Sequence, residues 1–245
     1  MDGEARGPGS IARLVLLLAL ALLAGAGFFA LGVWQVHRLA WKEALIARVE
    51  RNVNAVPAAA PGPGAWPGIT PDDEYRRVRA RGRFEYAHEV TVAATTELGS
   101  GYWVLTPLRT QEGAWLLVNR GFVPMDLRAH VPPGPAEGDI VGLLRLNEPH
   151  GRLLQTNVPA AGRWYSRDVV AIAAAQGLAG AVAPYFIDEV ATPDTAARWP
   201  RAGLTVLQFP NNHLVYAITW FALAAMMAAA FGYVLLDHRR SRRPA

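Results

Sequence analysis

Strongly apolar residues are concentrated at the two ends of the chain. No residue from Leu14 to Trp34 carries a charge, and none from Leu214 to Leu236 does. Each run is longer than the roughly 20 residues with which a helix crosses the ~30 Å core of a bilayer. The pattern predicts transmembrane helices at residues 13–34 and 213–236. The first is expected to be a retained anchor, because its apolar run exceeds that of a cleaved signal peptide.

The residues just after the first span change from helical to irregular character. Trp41, Leu45 and Val49 recur at helical spacing, so the first helix should continue to about Val53. Residues 56–71 contain five prolines and three glycines. This composition cannot support a regular element and predicts a linker or surface loop.

Further along the chain, short runs of β-forming residues alternate with turn residues. One helix is predicted at 166–176, with Gly177 as its stop signal. Strands are predicted at 76–84, 89–96, 102–108, 114–122, 139–146, 184–190 and 204–209. Their short connections favour a mainly antiparallel sheet or a small barrel. The predicted fold class is α+β, with two transmembrane helices flanking a mainly antiparallel β domain that contains a few helices.

Basic residues near the two spans predict the orientation in the membrane. Arg6 and Arg13 precede the first span, and arginines 239, 240, 242 and 243 follow the second. Since basic residues are enriched on the cytoplasmic side, both termini should be cytoplasmic. Arg38 and Lys42, at the outer end of the first span, oppose this bias.

The resulting organisation assigns a location to every part of the chain. We expect a cytoplasmic N-terminus at 1–12, a periplasmic domain at 35–212 and a basic cytoplasmic tail at 237–245. The acidic start is unlike a mitochondrial targeting segment, so this Arg-rich, Lys-poor chain favours a bacterial inner membrane.

Charge and cysteine content exclude several functions. The segment between the spans holds 18 of the 24 basic and 17 of the 20 acidic residues, so it is nearly neutral and offers no electrostatic case for nucleic acid. The chain has no cysteine, which excludes disulfides and thiolate metal sites. A hydrolytic enzyme is not predicted, because the few serines lack a nucleophile motif with an accompanying base.

His213 is the candidate for ligand chemistry. It opens the second span, and Tyr216, Ala217 and Trp220 follow at helical spacing on one face. A neutral imidazole there can ligate haem iron, and the aromatic rings can pack on a macrocycle. The alternative is an interfacial histidine that forms local hydrogen bonds beside ordinary interfacial aromatic residues.

Small and aromatic residues on the spans are candidate interface positions. Ala224, Ala228 and Gly232 form a stripe on the second span that allows close approach of another helix. The first span offers Ala21, Gly25, Ala26 and Ala30, so the stripe could serve either the other span or a partner protein. Trp34, Arg38 and Trp41 mark the outer interface as a second candidate contact surface.

Several sequence blocks, in order over most of the chain, resemble the surfeit locus protein 1 family of cytochrome c oxidase assembly factors. The blocks are LGVWQVHR at 31–38 with WK at 41–42 and LI at 45–46, YRRV at 75–78 with RGRF at 81–84, YWVLTP at 102–107, VNRGFVP at 118–124, WYSRD at 164–168, FID at 186–188, and NHLVY at 212–216 with TW at 219–220.

The resemblance implies a non-catalytic factor that assists haem a delivery to, or insertion into, oxidase subunit I. His213 matches the family's proposed haem ligand, and haem A synthase is a further candidate partner besides subunit I and the lipid bilayer. Block 119–121 is implied to be structural, with Gly121 allowing a turn. Two alternatives remain: a haem-independent scaffold for subunit I, and a membrane-anchored periplasmic enzyme. A sensor is disfavoured because the tail after Leu236 is short.

Overall fold

The computed structural model describes residues 8–151 and 154–240. The chain divides into two compact units, a helical unit formed by the residues up to Ile46 and from Gln208 onward, and a β domain formed by Ala47–Leu207. The predicted N-terminal segment 1–12 and basic tail 237–245 lie partly outside the described residues.

The elements follow one another along the chain in the order α1 (Pro8–Asn54), β1 (Ala58–Ala59), β2 (Arg77–Phe84), β3 (Val90–Thr96), β4 (Gly99–Thr110), β5 (Trp115–Pro124), β6 (Glu137–Leu146), α2 (Val169–Ala175), β7 (Val182–Glu189), α3 (Pro193–Ala197) and α4 (His213–Arg240). Short 3₁₀ helices occupy Pro63–Gly68, Pro71–Asp73, Tyr86–His88, Met125–His130 and Pro159–Ala161. The two apolar end helices flanking a mostly β domain confirm the predicted fold class. Both are long and apolar enough to cross a membrane.

Helices α1 and α4 pack antiparallel to each other within the helical unit. The ring of Phe28 stacks on Trp220 with centroids 5.7 Å apart, and Phe29 meets Phe221 edge-on at 5.6 Å. Buried and partly buried positions recur at alternating intervals of three and four residues, the spacing of left-handed helix pairs. They include Leu14, Leu18, Ala21, Gly25, Phe28, Gly32, Gln35, Leu39 and Lys42 on α1, and His213, Ala217, Trp220, Ala224, Met227, Phe231, Val234 and His238 on α4.

Close packing of this pair depends on Gly32, which the sequence did not single out. A Cβ atom at this position would lie 2.6 Å from the ring of Phe221. The predicted small-residue stripe coincides with the packed face only in part, since Ala224 is half-buried, Ala228 is exposed and Gly232 faces open space. A stripe that repeats every four residues drifts away from a contact face that repeats every 3.5.

The β domain is a closed barrel. Its ring runs β2-β6-β7-β5-β4, and pairing of Gly82 with Thr110 and of Phe84 with Leu108 joins β4 back to β2. The short β1 and the longer β3 flank this ring. All pairs are antiparallel except β1–β2 and β5–β7. The structure thus realises the small-barrel alternative.

Two apolar clusters stabilise the barrel. One draws side chains from all five strands of the ring, including the fully buried Leu116, Leu144 and Ile187. The other joins the opposite side of β5 and β7 to α2, with Ile172 and Phe186 fully buried. Strand β5 is therefore buried on both faces.

Most predicted element boundaries agree with the structure within a few residues, but helix α2 is shorter than predicted. It begins after Asp168, whose carboxylate accepts a hydrogen bond from the Ala171 amide at 3.2 Å and so caps the helix. Gly177 lies just past its end with φ 63°, as the stop signal predicted.

The strand predicted at 204–209 is wrong. These residues belong to no strand, and Val206 is 75% exposed. The chain around this segment contacts the barrel at separate points: Arg201 bridges to Phe122, and the Gly203 amide donates to the Glu189 carbonyl. Since the pairing of β2 with β4 already closes the ring, no place in the barrel is left for this segment as a further strand, despite its β-forming composition.

The prediction of no regular element at 56–71 is also wrong. The segment contains β1 and the 3₁₀ helix Pro63–Gly68, and a second 3₁₀ helix begins at Pro71. Pro63 and Pro71 sit in the first turn of these helices, where a missing amide hydrogen costs nothing. Thr70 and Asp73 form a reciprocal capping box on the second one.

Gly121 lies within a strand rather than at a turn, contrary to prediction. The register of β4 against β5 pairs Val104 with Gly121 and Leu105 with Asn119, which leaves Arg120 as an unpaired bulge residue. Gly121 has φ 130°, and a Cβ there would lie 2.3 Å from the Arg201 carbonyl carbon. Glycine is needed both for this backbone conformation and for the close approach.

Candidate functional site

His213 is held by a buried polar partner on the other helix of the pair. As the first residue of α4, it places its Nδ1 atom 2.7 Å from Oε1 of Gln35. Gln35 is only 8% exposed, whereas His213 itself is half-buried. A buried amide without a partner would be costly, so this hydrogen bond stabilises the helix pair as well as the imidazole.

The hydrogen bond determines which nitrogen of His213 is available. With Gln35 Oε1 as acceptor, Nδ1 carries a proton, and in the neutral imidazole Nε2 then keeps its lone pair. In the described part of the chain, no hydrogen-bond partner of Nε2 is found. Metal-ligating histidines commonly donate their other N–H to such an acceptor, so the arrangement fits an axial ligand of haem iron.

The predicted aromatic neighbours of His213 take different positions. Trp220 is half-buried and stacks on Phe28, whereas Tyr216 is 54% exposed. Ala217 is 2% exposed and lies on the packed face of α4. His213 and Trp220 therefore share the side nearest α1, and Tyr216 lies on the flank of that side.

The candidate interface residues Trp34, Arg38 and Trp41 lie on either side of Gln35 on α1. Trp34 and Trp41 are 53% and 52% exposed, and the Arg38 guanidinium lies 4.3 Å above the Trp41 ring. One turn further, the Lys42 ammonium lies 5.3 Å from the ring of Phe209. These positions do not test the contact role predicted for Trp34, Arg38 and Trp41, which stays a prediction.

Gln35 lies within the sequence block at 31–38, but the sequence alone predicted no role for it. Its position seven residues after Phe28 and three after Gly32 places it on the packed face of α1. A heptad analysis of the first helix would have placed a single uncharged polar residue on that face. Such a residue needs a partner on the other span.

A second polar cluster, in the wall of the barrel, surrounds Asp188. Its carboxylate is 3% exposed and accepts hydrogen bonds from Asn119 at 2.8 Å and from Arg145 at 2.9 Å. It also accepts from Arg167 at 3.2 Å and from Thr205 at 3.0 Å. The cluster therefore joins β5, β6 and β7 to the chain on either side of α2 and α3.

The two arginines of this cluster are satisfied by acids and aromatic rings. Arg167 pairs with Glu148 at 2.5 Å, and its guanidinium lies 4.7 Å from the Phe186 ring. Arg145 pairs with Glu74 at 3.2 Å and lies 4.6 Å from the Tyr75 ring. Several separate sequence blocks that carried the family resemblance thus meet in one cluster, which has a structural rather than a ligand-binding arrangement.

Arg120 forms a third polar group, next to a cleft of about 140 Å³ that is also lined by Glu189 and Arg198. It is 6% exposed, pairs with Glu89 at 2.8 Å and donates to the Pro132 carbonyl at 2.9 Å. Burial raises the pKa of Glu189 to about 7, although the positive charges of Arg120 and Arg198 oppose the shift.

A larger cavity, of about 370 Å³, lies between the proline-rich segment and the barrel. Trp66, Trp115 and Tyr185 line it. Trp66 and the Tyr185 hydroxyl both donate to the Pro61 carbonyl, at 2.8 and 2.9 Å, which fixes this segment to the barrel. In the described part of the chain there is no group of three or more acidic or histidine residues that could hold a metal ion.

Together these features define a class of protein. It has two apolar helices of membrane-spanning length, joined at one end by the hydrogen bond between His213 and Gln35, and a small closed β-barrel in the chain between them. The SURF1 family model matches residues 22–225 of the chain. The chain belongs to the SURF1 family, which confirms the resemblance inferred from the sequence blocks.

Curated relatives match across most of their length. Surfeit locus protein 1 of Mus musculus is 35% identical over 227 residues, covering 83% of this chain and 71% of the relative. The Homo sapiens protein of the same name is 35% identical, with 80% and 70% covered. The SURF1-like protein of Monosiga brevicollis is 33% identical, with 84% and 82% covered.

Replacing Asp188 with asparagine should strongly destabilise the β domain. The change removes the buried negative charge opposite Arg145 and Arg167, and breaking a buried ion pair costs about 3–5 kcal/mol. The free energy of unfolding is measured by denaturant titration of the detergent-solubilised full-length protein, followed by near-UV circular dichroism. Asp139→Asn is the control, because its pairs with Arg79 and Arg81 are exposed and a much smaller change is expected. Equal effects of the two substitutions would contradict the structural role of Asp188.

Glu189→Gln should remove a pH dependence of stability. The folded chain binds the Glu189 proton more tightly than the unfolded chain, whose pKa is 4.5. Its stabilising contribution is therefore fully present below pH 4.5 and lost as the pH rises to about 7, a difference of roughly 3 kcal/mol. Denaturant titrations of the native protein and the variant across this window measure the difference, and the exposed Glu97→Gln serves as control. An unchanged slope in Glu189→Gln would show that another group titrates.

Proposed function

We propose that this protein is a non-catalytic assembly factor for haem-copper cytochrome c oxidase, which holds haem a transiently through His213 and assists its delivery to, or insertion into, subunit I. Membership of the SURF1 family supports the oxidase-assembly part. The observation that carries the haem part is the hydrogen bond from His213 Nδ1 to Gln35. It aligns the imidazole and leaves the lone pair of Nε2 for iron.

The cargo fits the helix pair in its physical properties. Haem a is a hydrophobic macrocycle whose iron accepts a nitrogen ligand. A single neutral nitrogen ligand at the end of two apolar helices suits transient binding. The Trp220 ring lies on the same side of α4 as His213, and the Tyr216 ring lies on the flank of that side.

The proposed location is the bacterial inner membrane, with α1 and α4 crossing it. Residues 13–34 and 213–236 are the spans, and both termini are cytoplasmic. Arg239 and Arg240 in the last turn of α4 support this orientation. Residues 35–212 are then periplasmic, and subunit I and haem A synthase are the membrane partners.

A haem-independent scaffold for subunit I is the second candidate. It is favoured by the exposure of Trp34 and Trp41 on α1 and of Ala228 on α4, which leaves these side chains free to contact another membrane protein. In that case His213 would matter only through its bond to Gln35.

His213→Ala should abolish haem a binding. We expect the protein purified in detergent after co-expression with haem A biosynthesis to show a haem a absorption spectrum, because Nε2 supplies the iron ligand. The spectrum should disappear in His213→Ala and persist in His37→Ala, which removes an exposed histidine from α1. A haem-free native protein that still co-purifies with subunit I would favour the scaffold instead.

Gln35→Leu should weaken haem a binding roughly 10- to 100-fold, the usual cost of losing the hydrogen bond behind a metal-ligating histidine. A spectrophotometric haem titration measures the affinity, and resonance Raman spectroscopy measures the iron–nitrogen stretch. Gln35→Glu keeps an acceptor for Nδ1 and should retain binding. If Gln35→Leu matched the native protein in both measurements, Gln35 would not position the ligand.

A further inference from the structure

Two cations lie just beyond Gln35 on α1. Arg38 and Lys42 follow Gln35 by three and seven residues, about 4.5 and 10.5 Å along the helix axis. Within residues 8–151 and 154–240, neither forms an ion pair. Arg48, further along the same helix, does pair with an acid, Asp72.

Aromatic rings, rather than carboxylates, hold these two cations. Arg38 lies over Trp41, and Lys42 lies over Phe209, four residues before His213. A ring attracts a cation through its face without neutralising its charge. Both side chains therefore keep a positive charge that an anion can pair with.

Basic residues are unfavourable at the position of Arg38 and Lys42. In the proposed topology they stand at the outer end of the first span, where basic residues are disfavoured relative to the cytoplasmic end. They also stand at the end of the helix pair that carries His213, since Gln35 is opposite His213 and Lys42 is opposite Phe209. A ligand that is apolar in its body, binds nitrogen at its centre and carries carboxylates at its edge matches this arrangement.

We propose that Arg38 and Lys42 form a carboxylate subsite that binds the two propionate groups of haem a while His213 supplies the iron ligand. The proposal rests on the proposed function and adds a second point of recognition to it. Charge-assisted hydrogen bonds to carboxylates would anchor the polar edge of the macrocycle at the membrane surface. An anionic phospholipid could satisfy the same charges, but it has no group for Nε2 of His213.

The test crosses charge removal on the protein with charge removal on the ligand. Haem a and its dimethyl ester are titrated into the detergent-purified native protein, into the Arg38→Gln/Lys42→Gln double variant, and into Arg51→Gln as a control for an exposed cation further along α1. We expect the double variant to bind haem a roughly tenfold more weakly than the native protein, with unchanged affinity for the ester. The native preference for haem a over the ester should also shrink with added salt.

Each other outcome overturns the subsite. Equal weakening of both ligands would mean that the substitutions disturb the helix pair, and equal native affinity for both would mean that the carboxylates are not recognised. Loss of co-purified anionic phospholipid from the double variant, with its preference for haem a over the ester intact, would assign the cations to lipid. Native protein that binds neither ligand would refute the proposed function itself, which is a different result from a failure of the subsite alone.

Discussion

A guanidinium group can be buried in a barrel wall only if a buried negative charge lies next to it, because an unpaired charge in that environment costs several kcal/mol. Asp188 is that charge for Arg145 and Arg167. Its carboxylate lies on β7, the strand between β5 and β6, so the ion pairs cross the pairing of β6 with β7 and reach the chain before α2. Asn119 adds a neutral donor from β5. The arrangement of the barrel and of its long connections is therefore fixed around one carboxylate.

The helical unit depends on a simpler constraint, the alternation of three and four residues between packed positions. Gly32 makes room for Phe221, and further along α1 the same face presents Gln35 to His213. Apolar packing sets the distance between the helices, and the single polar pair sets their register at one end. In an apolar environment such a polar pair also opposes sliding of one helix along the other, since sliding would leave Gln35 without a partner.

Much of this structure could be predicted from the sequence, because local patterns determine local elements. The two apolar runs, the alternating strands and the Gly177 stop signal all lie where the sequence indicates. Pairing is a different matter: the same β-forming composition gives a strand at Val182–Glu189 but an unpaired segment at 204–209. Whether a segment finds a strand partner depends on which edges the rest of the chain has filled. His213 could be predicted as a candidate from its position at the start of a span. Heptad spacing places Gln35 on the packed face of α1, but its role as the partner of His213 depends on how α4 packs there.

The mixed direction of the barrel strands has a consequence for how the domain is made. Trp115 in β5 pairs with Val182 in β7, so the ring cannot close until the chain has continued well past β6. Asp188 is then the last charged member of its cluster to leave the ribosome, after Arg145 and Arg167. Until it arrives, both guanidinium groups are better hydrated than buried. The domain should consequently remain open during synthesis, and consolidate in a single late step dominated by contacts between distant parts of the chain.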